Sequence, residues 1–151
     1  MRILVKNRAK YWKRKIGKTC DFCNLSVIKD QEIKKLSGKH WWVIAAKFPY
    51  LNGNIIIIPK RHVVDLNQLT KDEDMEFPVV LKKSLKKLGE SFKTKSFNIT
   101  LNLGPDSGCS LNHIHWQIVP RQKINPNSQA IFNGFVLVTM DYKDLKKKLN
   151  K

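Results

Sequence analysis

The chain has 151 residues, which is enough for one domain with its own hydrophobic core. Its hydrophobic content of 42% and charged content of 27% are typical of globular proteins and exclude wholesale disorder. Its apolar runs all fall short of the roughly 18 residues that a membrane-spanning helix needs, and the first residues do not resemble a secretory signal peptide. We therefore expect no membrane partner and a cytoplasmic location, with organellar targeting by the basic N-terminal residues left open.

The formal net charge of +17 is the first unusual feature. A field of this sign attracts nucleic acid, polyphosphates or anionic lipid, but a lysine-rich surface can also exist without a specific partner. Much of the charge lies at the two ends: residues 1–18 contain eight Lys or Arg and no acid, and residues 143–151 contain five Lys. We interpret 1–18 as a basic leader and 19–151 as one domain. The ends either contact polyanions or are simply solvated.

The first half of the chain predicts two strands joined by turns. In chain order we expect a knuckle-like turn over 20–26, a strand over 41–45, a turn over 48–54 and a buried strand over 55–58 closed by Pro59. Cys20 and Cys23 form a Cys-x-x-Cys pair in the first turn, which in a chain without a signal peptide indicates metal or redox chemistry.

The second half predicts one long helix followed by strands. Thr70 and Glu73 form a capping-box pattern, and apolar residues then recur at helical spacing as far as Phe92. Pro78 lies inside that pattern and should kink or split the helix. Strands are expected over 97–103, 114–119 and 135–139, and a short Lys-rich helix from Asp141 onward. Strands that pair by turns around one long helix indicate an α+β fold.

Two of the four histidines lie two residues apart, in the segment His113-Ile114-His115-Trp116-Gln117. On a strand, alternate residues point to the same face, so His113, His115 and Gln117 should form one polar row. Two imidazoles and an amide in a row have little value for packing. This pattern therefore predicts a functional site.

The loop before these histidines is suited to binding an anion. Gly104, Gly108 and Ser110 leave backbone N–H groups accessible, and Asn102 and Ser110 add polar side chains. The loop alone also suits an ordinary turn. Together with the histidine row, it favours phosphate chemistry.

At these residues the sequence resembles the histidine-triad (HIT) superfamily. The segment 102–121, with its His-x-His-x-Gln core, matches the signature of that superfamily, and the segment 53–63 resembles its strand and following Pro-x-x-His block. The resemblance covers roughly residues 20–121. It implies an antiparallel sheet with flanking helices, a homodimer, and nucleotidyl transfer through a covalent histidine intermediate.

The resemblance also assigns roles to individual residues. It makes His115 the nucleophile that attacks an α-phosphate, with Ser110, Gln117 and the Gly108 backbone binding the phosphate oxygens. Asn102 and Cys109 complete the implied substrate-binding set, although a small residue in a tight loop also explains Cys109.

Gln117 bears on the type of reaction. Hydrolases of the superfamily have a third histidine at this position, whereas galactose-1-phosphate uridylyltransferases and diadenosine-tetraphosphate phosphorylases have Gln. A glutamine cannot transfer a proton, so it can hold a nucleotidylated His115 until an acceptor such as phosphate arrives. The phosphorylase branch is the more similar of the two. Ala46 departs from the family pattern, since an acid or amide that contacts ribose is usual there.

The same resemblance implies a structural zinc ion. Its ligands would be Cys20, Cys23, His62 and His113, a closed set with no open position for catalysis. The alternative is that the cysteines are free thiols and His62 is a surface residue.

Three functions therefore remain in view. The first is a nucleotidyl transferase or phosphorylase that cleaves dinucleoside polyphosphates through His115. The second is a HIT-type hydrolase of small nucleotide conjugates. The third is a nucleic-acid-binding module that uses the basic ends of the chain.

Overall fold

A computed structural model describes residues 20–104, 107, 111–121 and 140–151. Within these residues it contains strands and helices in the order expected of an α+β fold. The strands are β1 Trp41–Ala45, β2 Ile55–Pro59, β3 Phe97–Leu101 and β4 Trp116–Pro120. The α-helices are α1 Leu25–Gln31, α2 Lys71–Phe92 and α3 Tyr142–Leu149, and short 3-10 turns cover Asp21–Cys23 and Leu66–Gln68.

The four strands form one antiparallel sheet in the order β1-β2-β4-β3. All five residues of β2 are buried, as expected for a central strand of isoleucines. Gln117 of β4 pairs with Ile56 on one side and Thr100 on the other. The central position of β4 therefore places Gln117 and the residues just before it in the middle of the sheet.

The two faces of the sheet are packed differently. One face is covered by α2 and α3 and forms the larger core, which includes Trp41, Ile57, Leu88 and Ile118. The other face carries a smaller apolar cluster, against which Phe22 and other partly buried residues pack. Alternation along the strands assigns Trp116 and Ile118 to the larger core. Gln117 therefore lies on the face with the smaller cluster.

The long helix α2 begins with the predicted capping box. The Thr70 side chain accepts a hydrogen bond from the Glu73 backbone, and the Glu73 side chain accepts one from Thr70. Of the two outcomes expected at Pro78, a kink or a split, the split is wrong, because α2 is continuous to Phe92. Pro78 removes a hydrogen bond to the carbonyl of Asp74, and both residues are exposed, so water can replace the missing donor.

Other differences concern the ends of elements. Helix α1 is absent from our expectations, which describe only the turn over 20–26 there. β4 begins at Trp116 rather than at 114, so His113 and His115 lie just before the strand. The predicted C-terminal helix is confirmed, with Asp141 as its N-cap. The expected strand over 135–139 and the basic leader 1–18 lie outside the described residues. The described helices include none with the length and apolarity needed to cross a membrane.

Candidate active site and metal centre

The Cys-x-x-Cys segment forms a single tight turn. The backbone N–H of Cys23 donates to the carbonyl of Cys20 at 3.0 Å, which places the two thiols on one side of the turn. Asn24 then caps α1 by accepting from the backbone N–H of Ser26. Neither cysteine is in a disulfide. The capped helix therefore anchors a turn that presents two free thiols.

The two histidines come from segments that are joined by a backbone hydrogen bond. The N–H of Ile114 donates to the carbonyl of Val63 at 2.8 Å. The residues before them in sequence, His62 and His113, are thereby brought together, with ring centroids 4.9 Å apart and edge-on geometry. The loop after β2 and the segment before β4 thus meet beside the cysteine turn.

The thiols and imidazoles of these four residues can hold a metal ion. All four ligand atoms lie within 4.8 Å of one another. Three sulfur–nitrogen pairs are close: Cys20 Sγ lies 3.5 Å from His113 Nδ1, Cys23 Sγ lies 3.3 Å from His62 Nδ1, and Cys23 Sγ lies 3.7 Å from His113 Nδ1. Tetrahedral zinc places neighbouring sulfur and nitrogen ligands about 3.3–3.8 Å apart. The donor set and its spacing therefore fit zinc.

Burial in this cluster favours the metal-binding form of His113 but, in the metal-free protein, the protonated form of Cys23. Burial, together with the neighbouring His62, lowers the pKa of His113 to about 4, so its imidazole is neutral at neutral pH. His113 Nε2 lies 3.1 Å from the carbonyl of Pro59 and donates to it when Nδ1 is the ligand atom. Burial, together with the neighbouring Cys20, raises the pKa of Cys23 to about 11. A bound dication opposes this rise because it stabilises the thiolate.

His115 is buried beside this cluster. Only 8% of it is exposed, and its Nδ1 lies 2.8 Å from the carbonyl of His113. A carbonyl can only accept, so Nδ1 carries the proton and Nε2 keeps its lone pair. Burial lowers the pKa of His115, which favours this neutral form. The Phe22 ring packs edge-on against His115 at 5.1 Å and against His113 at 5.9 Å. His115 is therefore oriented and uncharged, as a nucleophile requires.

Gln117, at the second residue of β4, is bonded to a buried residue of the turn before β2. The Nδ2 of Asn54 donates to the Oε1 of Gln117 at 2.9 Å. Asn54 is fully buried, whereas Gln117 is half-buried. The side chain of Gln117 is therefore fixed by a hydrogen bond from the buried Asn54.

An ion pair supports the loop that carries His62. The guanidinium of Arg61 donates from Nε and Nη2 to the two carboxylate oxygens of Glu73, each at 2.8 Å. Arg61 and the bonds from Thr70 lower the pKa of Glu73 to about 2 against the opposing effect of burial. Glu73 is thus fully ionised at neutral pH and ties the start of α2 to the residue before His62.

The structure assembles part of the predicted site. It brings together Cys20, Cys23, His62 and His113, and places His115 beside them through Phe22. Asn102 lies one residue beyond the end of β3. Gly108, Cys109 and Ser110 lie outside the described residues, so their predicted roles stay predictions.

Our sequence reasoning missed three contributors: Phe22, Asn54 and the Arg61–Glu73 pair. Phe22 lies inside the Cys-x-x-Cys pair, and Asn54 directly precedes the apolar run of β2. An Asn at that boundary also suits an ordinary turn, and the partners of Asn54 and Glu73 are distant in sequence. Only the position of Phe22 between two candidate ligands offered a usable signal.

Curated relatives include two enzymes whose names describe activity on dinucleoside polyphosphates. The AP-4-A phosphorylase of Mycobacterium tuberculosis is 28% identical over 130 residues, which are 85% of this chain and 67% of the relative. The bis(5'-adenosyl)-triphosphatase of Saccharomyces cerevisiae is 29% identical over 97 residues, which are 64% of this chain. This chain spans about half of the yeast relative, 47% of its length.

A solved structure and a family model also match this chain. The crystal structure of a Zn-bound histidine triad family protein from Mycobacterium smegmatis matches with a TM-score of 0.68 and 21% identity, over 87% of this chain and 91% of that one. The family model of the HIT domain matches residues 30–124, well over half of the sequence. Taken with the resemblance of the two sequence blocks, this match shows that the chain belongs to the HIT family.

Proposed function

We propose that this protein is a nucleotidyl transferase that cleaves dinucleoside polyphosphates at an α-phosphate and passes the nucleotidyl group to phosphate. The observation that carries the proposal is the orientation of His115, whose Nδ1–H donates to the carbonyl of His113. That bond leaves the lone pair of Nε2 for nucleophilic attack. The names of the mycobacterial and yeast relatives support this class of substrate.

The proposed reaction has two displacements. In the first, Nε2 of His115 forms a bond to the α-phosphorus, and the bond from phosphorus to the bridging oxygen breaks, so that the remaining nucleoside polyphosphate leaves with its electron pair. In the second, an oxygen of inorganic phosphate attacks the same phosphorus, and the nitrogen–phosphorus bond breaks. With diadenosine tetraphosphate and phosphate, the products are ATP and ADP, and His115 returns to its neutral form.

The neighbouring groups have supporting roles in this proposal. The Nε2 amide of Gln117, with Ser110 and the Gly108 backbone, would bind the non-bridging oxygens as charge moves onto them. Asn102 would position the nucleotide. Cys20, Cys23, His62 and His113 would hold zinc, which with four protein ligands supplies structural support rather than Lewis-acid chemistry. The homodimer stays a prediction.

The test is the intact mass of the protein after incubation with diadenosine tetraphosphate. We expect wild type to gain one adenylyl group, and His115→Ala to gain none. His40→Ala is the matched control, because His40 is half-buried and its side chain lies outside the cluster, and it should gain the group like wild type. Absence of an adduct and of turnover with dinucleotides would overturn the proposal.

The acceptor is settled by adding phosphate to the adduct. Discharge that depends on phosphate and releases ADP supports the transferase. Discharge into water alone, which releases AMP, favours the second candidate, a hydrolase of the kind that the name of the yeast relative describes. Gln117 argues against the hydrolase because an amide cannot move protons. Nucleic-acid binding by the basic ends stays a prediction, tested by the salt dependence of binding with and without residues 1–18.

A further inference from the structure

Asn54 is a buried polar residue whose side chain is hydrogen-bonded to Gln117 and to the backbone of β4. It has no exposed surface, and it follows Gly53, whose φ of +87° belongs to the left-handed region. A Cβ at Gly53 would lie 2.5 Å from Cγ of Pro120, so the turn approaches the end of β4 closely. This close approach delivers the amide of Asn54 to the backbone of β4.

The backbone fixes which way the amide of Asn54 faces. Its Oδ1 accepts from the N–H of Tyr50 at 3.1 Å, and its Nδ2 donates to the carbonyls of Ile55 at 3.0 Å and Ile118 at 3.3 Å. A backbone N–H can only donate and a carbonyl can only accept. Exchanging the nitrogen and oxygen of Asn54 would therefore break every one of these bonds. Its orientation is set without reference to any other side chain.

This orientation determines that of Gln117. The third contact of Asn54 Nδ2 is with the amide of Gln117, at 2.9 Å. Because Nδ2 is a donor, the atom of Gln117 that faces it must be the acceptor Oε1. The NH2 group of Gln117 is therefore directed away from Asn54.

We propose that Asn54 is a positioning residue, which turns the amide of Gln117 so that its NH2 group, rather than its oxygen, faces the reacting phosphate. This inference rests on the proposed function, because it assigns the phosphate to the sheet face that carries Gln117. Phe22 packs against that face and also contacts His115, two residues before Gln117. A donor stabilises the phosphate oxygens, whereas Oε1 in the same place would repel them.

Asn54→Asp is the sharpest variant, since it changes the hydrogen-bond polarity with almost no change in shape. An ionised carboxylate accepts only, so at a pH high enough to keep residue 54 ionised, Gln117 should turn its NH2 group toward it and its oxygen toward the substrate. The carbonyls of Ile55 and Ile118 then lose their donor, which lowers stability. We expect the single-turnover rate of His115 adenylylation by diadenosine tetraphosphate to fall at least about tenfold, given that loss of one such donor costs on the order of 10²–10³. Asn98→Asp is the matched control: it introduces the same charge on the same sheet face, at a residue of β3 that pairs with Val119. It should retain the wild-type rate.

A double-mutant cycle separates positioning from general damage to the fold. In a Gln117→Ala background, the Asn54→Asp change should leave the remaining rate unaltered, because no amide is left to turn. Equal rate losses in both backgrounds would overturn the proposal, as would a wild-type rate in Asn54→Asp alone. If Asn54→Asp fails to fold, Asn54→Ala replaces it in the same cycle. It frees Gln117 to rotate, and its loss of rate should again require Gln117.

Failure of the proposed function is recognised separately. If wild type forms no adduct, the cycle is repeated with the dissociation constant of AMP, measured by calorimetry on the same proteins. If Asn54→Asp weakens AMP binding in the presence of Gln117 but has no effect in the Gln117→Ala background, the positioning role is supported even though the transferase proposal has failed. If Asn54→Asp changes the AMP affinity equally in both backgrounds, or changes it in neither, the positioning role is overturned as well.

Discussion

The two faces of the sheet are held together by different kinds of interaction. The face under α2 and α3 is filled by apolar side chains, and among the described residues its one buried polar atom without a hydrogen-bond partner is the hydroxyl of Ser84. The other face has a smaller apolar cluster and, beside it, His115 and Gln117, whose neighbours are a cysteine turn, a histidine pair and a buried amide. Burial of apolar surface is non-directional, whereas these polar contacts require particular atoms at particular distances.

Because of this difference, we expect the stability of the fold and the geometry of the site to depend on different residues. The apolar core is rich in isoleucine and leucine and includes Trp41, so we expect it to form without a metal ion. The site brings together residues 20, 62 and 113, which are far apart in sequence, and the Cys and His side chains there meet through sulfur–nitrogen contacts. We therefore expect a change on one face to leave the other largely intact, and four substitutions test this expectation, from the largest effect to the smallest.

Removal of one ligand should damage the metal centre most. We predict that Cys23→Ser weakens zinc binding more than about 100-fold, since loss of even an outer-sphere partner costs about 10–100-fold. A competition titration with a chromophoric chelator measures the affinity. Cys109→Ser is the control, because the proposed ligand set does not include this cysteine, and it should keep the wild-type affinity. Equal affinities of Cys23→Ser and wild type would contradict the assignment of the ligands.

Truncation of a core residue should lower the stability of the fold and leave zinc binding unchanged. Leu88 is fully buried in the larger core, so Leu88→Ala should lower the free energy of unfolding by about 2–5 kcal/mol. Its zinc affinity should be unchanged. Urea denaturation with zinc at saturation gives the first quantity, and the chelator titration gives the second. Leu66→Ala, at a leucine that is 41% exposed, should change stability by less than about 0.5 kcal/mol. A large loss of zinc affinity in Leu88→Ala would show that the faces are coupled.

The Arg61–Glu73 pair joins the two regions, and its contribution should depend on pH. The pKa of Glu73 is lowered from 4.5 to about 2 in the folded protein. Its ionisation therefore adds stability that is present above pH 4.5 and is lost as the pH falls toward 2. Glu73→Gln should cost about 1.5–3 kcal/mol at pH 7, the range for hydrogen bonds to charged groups, and progressively less below pH 4.5.

Thermal unfolding of wild type and Glu73→Gln across that pH range measures the difference. Glu90→Gln serves as the control, because Glu90 is an exposed carboxylate on the same helix. A stability difference between wild type and Glu73→Gln that does not change with pH would contradict an ionic origin.

The smallest expected effect is on stability and arises from a buried hydroxyl in the apolar core. Ser84 is fully buried in α2 with an unpaired hydroxyl, so Ser84→Ala should raise the free energy of unfolding by about 1 kcal/mol. Denaturant titration detects a change of this size. A clear loss of stability would mean that the hydroxyl has a partner, such as a buried water.

The sequence predicts the elements better than it predicts their ends. β1, β2 and the start of α2 follow from local patterns: an apolar run, a closing proline and a capping box. α1 escapes prediction because it is two turns long and half of it is polar. The expected split at Pro78 fails because a solvent-facing backbone carbonyl tolerates the loss of its donor.

The site is predicted in part. The cluster of two cysteines and two histidines follows from a Cys-x-x-Cys pair and two histidine motifs, through resemblance to a family in which they meet. The Asn54–Gln117 and Arg61–Glu73 contacts join residues 63 and 12 positions apart, and no local pattern indicates either partner. Such contacts are set by the tertiary fold, so they become visible only with the structure.

Amide hydrogen exchange before and after removal of zinc by a chelator tests the separation of fold and site most directly. We predict that chelation speeds exchange in segments 20–24, 61–64 and 111–115, whereas β2 and the core-facing part of α2 keep their protection. Faster exchange throughout the sheet and α2, or no change in the three segments, would contradict the account.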